Sequence, residues 1–127
     1  MNFVINQGWA LYWGTSSWSS ADIKEACDIA DRLGLVRPIV EQPQYNLIER
    51  SRWSLSTSTS PTAFTPDFAD RVAKADLLKP IAEELGVSMA AFAIAWCLSN
   101  SSVTTVLVGA KTTKQLEQNL EAFAIVD

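Results

Sequence analysis

Residues 10–42 contain two short apolar segments separated by one amphipathic helix pattern. The first segment, residues 10–13, runs into a Gly-Thr-Ser turn, and the second, residues 39–40, ends in Glu41 and Gln42. The apolar positions between them recur at the spacing of one helical face: Ile23, Ala26, Cys27, Ala30 and Leu33. A strand, a helix and a strand in this order predict a βαβ unit, and therefore a parallel sheet.

Capping residues predict where the helices of this region begin and end. Ser19 or Ser20 is the expected N-cap of the amphipathic helix, because a serine oxygen accepts a hydrogen bond from the first-turn amides. Gly34 predicts its end, since glycine readily adopts the left-handed conformation that closes a helix. Gly8 predicts in the same way the end of an earlier helix over residues 3–7.

A change of composition interrupts the chain after this unit. Residues 51–66 are crowded with serine, threonine and proline and have neither helical nor strand periodicity, which predicts an exposed linker. A helix pattern then begins at Asp67 and contains Pro80. Because proline is tolerated only in a first turn, the helix either kinks at Pro80 or starts anew near Lys79.

The last third of the chain predicts two helices and one strand. Ser88 is the expected N-cap of a helix over residues 89–98, which is apolar on nearly every side and so predicts cover from other elements. Residues 103–108 are β-branched and apolar and predict a strand. Thr112 and Gln115 form a capping box that opens a final helix. The expected inner face of that helix carries Leu116, Leu120 and Phe123.

The composition excludes several functional classes. No histidine occurs in the 127 residues, so Ser-His-Asp, Cys-His and HExxH sites cannot be built. The net charge of -4, with no basic run, gives no basis for nucleic-acid binding. Cys27 and Cys97 lack the spacing of a metal or redox motif, and we interpret them as small buried residues. The absence of signal-peptide and membrane-span patterns predicts a cytoplasmic location.

Polar residues follow the predicted strands, where parallel sheets bind ligands. Ser16 and Gln42 end neighbouring strands, and residues 109–119 combine a glycine, a capped helix start, Lys111 and Lys114, which together could hold an anion. Each feature also has a plain structural interpretation. Ser16 suits a turn, Gln42 suits a bond to the backbone, and residues 109–119 suit an ordinary capped helix with solvated lysines.

Three segments, in chain order, resemble the carboxyl-terminal half of the aldo-keto reductases, most closely the branch that includes the potassium-channel beta subunits. They are WGTSSWS at 13–19, VEQPQYNLIERSR at 40–52, and AEELGVSMAAFAIAWCLSN with VTTVLVGAKTTKQLEQNLEAF over 82–123. The resemblance implies an α/β fold, a partial (β/α)8 TIM barrel of the NADP-dependent oxidoreductase type that is carboxyl-terminal and carries an internal deletion. It divides the chain into barrel residues 1–52, a Ser/Thr-rich linker at 53–66, and barrel residues 67–127.

The same resemblance implies NADPH-dependent reduction of aldehydes or ketones, with a small carbonyl compound as substrate. It assigns the nicotinamide carboxamide to Ser16 and Gln42. The adenosine and its 2′-phosphate fall to five residues of one segment: Gly109, Lys111, Gln115, Gln118 and Asn119.

The Asp, Tyr, Lys and His tetrad of the aldo-keto reductases has no counterpart in this sequence. We therefore expect a catalytically incomplete, truncated chain with no catalytic residue and no metal. The alternatives are a non-catalytic cofactor-binding regulatory module, such as an ion-channel accessory subunit, and a fragment without independent function. Either a homo-oligomer or a channel partner is compatible with the sequence.

Overall fold

The computed structural model describes residues 1–48, 50 and 66–126, and it divides into two compact units. The first unit contains Met1–Tyr45, and the second contains the helices from Pro66 onwards. Within these described residues the α-helices are α1 Asn2–Asn6, α2 Ser20–Leu33, α3 Pro66–Asp76, α4 Lys79–Glu84, α5 Met89–Leu98 and α6 Thr113–Leu120, and a 3-10 helix, Glu121–Ala124, follows α6. The predicted linker lies outside the described residues except for Pro66.

The two apolar segments of the first unit run in parallel, as predicted, but the chain forms only one bridge there, between Thr15 and Glu41, which follow the two segments. Three backbone hydrogen bonds join the segments: Thr15 N–H to Val40 O at 2.9 Å, Gln42 N–H to Thr15 O at 2.9 Å, and Ile39 N–H to Trp13 O at 3.0 Å. The expectation of regular strands over residues 10–13 and 39–40 is wrong for the described residues, because a strand needs a ladder of successive pairs. The partial barrel therefore stays a prediction.

Helix α2 begins and ends where the capping signals predicted. Ser19, not Ser20, is its N-cap. The Ser19 hydroxyl accepts the Asp22 N–H at 3.1 Å, and the Asp22 carboxylate in return accepts the Ser19 N–H at 3.2 Å. Gly34 closes the helix with φ +63°, and Gly8 follows α1 with φ +73°, both in the left-handed region that suits glycine.

Replacing Ser19 by alanine is expected to lower the free energy of unfolding of the first unit by about 1 kcal/mol, because the Asp22 amide loses its capping acceptor. Urea denaturation followed by far-UV circular dichroism measures the loss. Ser20→Ala makes the same chemical change one residue later and is expected to stay within about 0.5 kcal/mol of wild type. Equal losses in the two variants would contradict the assigned cap.

The helix boundaries of the second unit also follow local chemistry. Pro80 lies in the first turn of α4, so the alternative of a new helix near Lys79 is confirmed. The Ser88 hydroxyl accepts the Ala91 N–H at 3.1 Å and caps α5 as predicted. Gly86, with φ +70°, lies between these two helices.

Alanines form the core of the second unit. Ala91 and Ala95 of α5 pack with Ala122 of the 3-10 helix, and their exposed fractions are 0%, 6% and 0%. Partly buried apolar side chains surround them: Val87, Ile94, Ile125 and Val126. Small side chains at a contact let two helices approach closely. Larger side chains at these three positions would therefore not fit.

Two predictions for the second unit are wrong. Residues 103–108 form no strand, because a β-branched run becomes a strand only beside a paired neighbour and the described residues pair nothing with it. The expected inner face of α6 is exposed: Leu116 by 44%, Leu120 by 53% and, in the 3-10 helix, Phe123 by 67%. The half-buried residues of α6 are instead Gln118 and Asn119.

The two cysteines lie in helices, as expected, and neither is in a disulfide. Cys97 is buried in α5, and this burial raises the pKa of its thiol. Cys27 is half-buried in α2.

Candidate functional site

A single carboxylate holds the turn that follows the first apolar segment. Thr15 is a buried polar residue, 6% exposed, and its hydroxyl donates to Oε2 of Glu41. The other oxygen of Glu41, Oε1, accepts the Trp18 N–H at 3.1 Å. Both oxygens of Glu41 thus bind the same turn, one at each end.

Within this turn, Ser16 lies beside Gln42. The Ser16 hydroxyl donates to the backbone oxygen of Gln42 at 3.2 Å, and both residues are exposed. Their proximity follows from the order of elements, since the ends of two parallel segments meet at one edge. The structure therefore brings together the two residues that the sequence associates with a carboxamide, and their role in binding it stays a prediction.

The backbone of the turn is tight. A Cβ atom on Gly14 would lie 2.6 Å from the backbone oxygen of Val40 and would also overlap a methyl group of the same valine. Ser17 has φ +57°, in the left-handed region that is uncommon for residues other than glycine. Close approach and a left-handed residue together mark a turn that its surroundings must hold in place.

In the second unit, two side chains fold the loop of residues 109–112 onto the start of α6. Oε1 of Gln115 accepts the Lys111 N–H at 2.7 Å and the Thr112 N–H at 3.2 Å. The Thr112 hydroxyl accepts the Gln115 N–H at 3.2 Å, which completes the predicted capping box. Nδ2 of Asn119 donates to the backbone oxygen of Gly109 at 3.3 Å.

The seven residues associated with a cofactor therefore divide between the units, with Ser16 and Gln42 in the first and the other five in the second. The structural role of Gln115 can be predicted from the sequence, but that of Asn119 cannot. The capping-box spacing signals the role of Gln115, whereas nothing in the sequence signals the bond from Asn119 to Gly109. The sequence also gave no sign that Glu41 holds a turn.

No metal centre or single membrane-spanning helix is found in the part of the chain that the structure describes. No group of three or more metal-ligating side chains is close enough to hold an ion within residues 1–48, 50 and 66–126. Over the same residues no single helix is long and apolar enough to cross a bilayer. One pair, Phe68–Glu84 with Met89–Leu98, reaches that length and apolarity together but is bent by 90°.

Comparison with known proteins places the chain in a family. The model of the Aldo/keto reductase family matches residues 50–126, which is more than half of the chain. The chain belongs to the aldo/keto reductase family, and this family implies a TIM-barrel fold. Two plant proteins are similar to nearly the whole of this chain. Each is named "Probable voltage-gated potassium channel subunit beta"; the one from Arabidopsis thaliana is 39% identical and the one from Oryza sativa subsp. japonica is 40% identical.

The chain spans about half the length of the curated relatives it matches. Each match covers 99% of this chain and 51% of the relative, over 166 positions. Since this chain has only 127 residues, the difference of at least 39 positions is sequence that each relative has inside the match and this chain lacks.

Proposed function

We propose that this chain binds NADP(H) and contributes the carboxyl-terminal part of an aldo/keto reductase site for carbonyl reduction. The contact between Ser16 and Gln42 carries the proposal. The Ser16 hydroxyl gives its proton to the backbone of Gln42, so its lone pairs are available to accept an N–H of a carboxamide. The side-chain amide of Gln42 offers both a donor and an acceptor. The donor set therefore fits a nicotinamide carboxamide.

The second unit supports the phosphate end of this proposal. Lys111 and Lys114 are exposed on either side of the capping residue Thr112, so both ammonium groups can reach an anion in solvent. Gln115 fixes the backbone of Lys111 through the 2.7 Å bond to its N–H. We propose that Gly109, Lys111, Gln115, Gln118 and Asn119 hold the adenosine and its 2′-phosphate.

The proposed role of this chain is to bind and orient, not to transfer a proton. Bound NADPH would supply the hydride for the reduction of a small aldehyde or ketone. The carbonyl oxygen also requires a proton donor, and the sequence contains no histidine and no counterpart of the family tetrad. We therefore propose that the chain is catalytically incomplete, and that the positions missing inside the match with its relatives correspond to the predicted linker.

Fluorescence titration of the 127-residue chain with NADPH tests the proposal. We expect saturable binding, and we expect Gln42→Ala to weaken it about tenfold because one or two hydrogen bonds to the carboxamide are lost. The pairing with Thr15 uses only the backbone of Gln42, so the fold should persist. Gln7→Ala, an exposed glutamine of the same unit, is the matched control and should leave the dissociation constant unchanged.

Replacing Lys111 by alanine tests the proposed binding of the 2′-phosphate independently of the nicotinamide end. Affinity for NADPH should fall while affinity for NADH, which lacks the 2′-phosphate, should stay the same. A folded chain that binds neither nucleotide would overturn the proposed function.

A regulatory module is the second candidate, and the names of the two plant relatives favour it. In this alternative the chain is a cytoplasmic accessory part of a potassium channel, alone or as a homo-oligomer, and binds NADP(H) without turnover. Oxidation of NADPH in the presence of an aldehyde, followed by absorbance, tests the catalytic incompleteness: turnover would contradict it, and binding without turnover agrees with both candidates. Association of the purified chain with a potassium channel in a pull-down would then favour the module, and cofactor binding without such association would favour the incomplete reductase site.

A further inference from the structure

We propose that Glu41 is a positioning residue that fixes the turn of residues 14–18, so that Ser16 stays beside Gln42 before any ligand binds. The inference rests on the proposed function, because it takes Ser16 and Gln42 as the carboxamide end of the cofactor site. It adds a residue that touches neither the ligand nor the reacting atoms.

The geometry of the turn supports this role. The Oε2 atom of Glu41 accepts the hydroxyl of Thr15, the residue before Ser16. The Oε1 atom accepts the N–H of Trp18, two residues after Ser16. One carboxylate therefore fixes the chain on both sides of Ser16, and it does so from the residue next to Gln42.

Backbone hydrogen bonds hold the turn at Thr15, but the contacts of the turn beyond Thr15 are weak or strained. The bond from Ser16 to Gln42 is neutral, exposed and 3.2 Å long. The left-handed backbone conformation of Ser17 costs free energy in a residue other than glycine, so it must be held by other contacts. Hydrogen bonds to a carboxylate are about twice as strong as neutral ones, and the Thr15 hydroxyl is shielded from water. The balance of these effects assigns the placement of Ser16 to Glu41.

Amide exchange in the full chain, measured by NMR without cofactor, tests the anchor directly. Glu41→Ala should accelerate exchange of the Trp18 amide by about tenfold, since its acceptor is removed. The Ile23 amide of α2, which donates to Ser19 O at 3.0 Å, should exchange at its wild-type rate. A merely structural role would accelerate both amides together, because it would act through unfolding of the whole unit.

NADPH titration of the same variants tests the consequence for the site. Glu41→Ala should raise the dissociation constant about tenfold. Thr15→Ser keeps the hydroxyl and should retain wild-type exchange and binding, whereas Thr15→Val removes it and should reproduce part of the effect. Glu25→Ala, which removes an exposed carboxylate from α2 in the same unit, is the control and should change neither quantity.

The outcomes separate the two proposals. An unchanged Trp18 exchange rate in Glu41→Ala would overturn the anchor, and faster Trp18 exchange with an unchanged dissociation constant would overturn the positioning role. If the wild-type chain binds no NADPH, the proposed function fails, and the exchange rates alone then decide whether Glu41 holds Ser16 in place.

Discussion

Gly14→Ala is expected to lower the free energy of unfolding of the first unit by about 2 to 3 kcal/mol. The new methyl group would lie 2.6 Å from the backbone oxygen of Val40, far inside contact distance. That oxygen cannot move away cheaply, because it accepts the Thr15 N–H at 2.9 Å. The parallel contact must therefore open to admit the methyl group. Urea denaturation followed by tryptophan fluorescence measures the loss, since Trp13 and Trp18 flank the site.

Gly109→Ala, in the second unit, makes the same chemical change at a glycine with open surroundings and serves as the comparison. A Cβ atom at Gly109 meets no atom within 4 Å, and its backbone is outside the left-handed region. We expect the free energy of unfolding to stay within about 0.5 kcal/mol of wild type. If both variants lose the same amount, the close approach of Gly14 to Val40 is not what limits this position.

Ala91→Leu is expected to destabilise the second unit by about 3 kcal/mol. Ala91 is 0% exposed and packs with Ala95 and with Ala122 of the 3-10 helix. Three additional carbon atoms would force α5 and the 3-10 helix apart or impose strained side-chain conformations. Thermal unfolding followed by far-UV circular dichroism measures the effect.

Ala90→Leu provides the comparison, because Ala90 is the preceding residue of α5 and is exposed. Leucine and alanine have similar helix propensities, so this variant should remain close to wild type. A tolerated leucine at position 91 would mean that the contact between α5 and the 3-10 helix does not hold the second unit together.

Helix boundaries could be predicted from sequence because they depend on local chemistry. Ser19 and Ser88 cap the helices they were expected to cap, and Gly34 ends α2 in the left-handed conformation. In each case the hydrogen-bond partner lies within four residues along the chain. Information within one turn of helix was therefore sufficient.

Strands and buried faces could not be predicted because they depend on partners that are distant in sequence. The β-branched run at 103–108 has strand propensity but no paired segment in the described residues. Leu116 is apolar, yet it is 44% exposed, while the neighbouring polar residue Asn119 is half-buried. Amphipathic spacing identifies an apolar face without saying whether anything covers it.

The candidate site, like the fold, could be predicted from the sequence only in part. The order of elements anticipated that Ser16 and Gln42 would lie at one edge, and they are in contact. The bonds of Glu41 to Thr15 and Trp18 require the two segments to be in register, and register is fixed by tertiary contacts that no local pattern encodes.

The alanine-rich interior has a thermodynamic consequence. Within the described residues, the buried apolar side chains are five alanines and one cysteine: Ala30, Ala82, Ala91, Ala95, Ala122 and Cys97. The heat capacity increment of unfolding comes from hydrating newly exposed apolar surface, at about 0.45 cal/K/mol per Å². Because methyl groups expose little such surface, we expect a small heat capacity increment for these units, and therefore a shallow curve of stability against temperature.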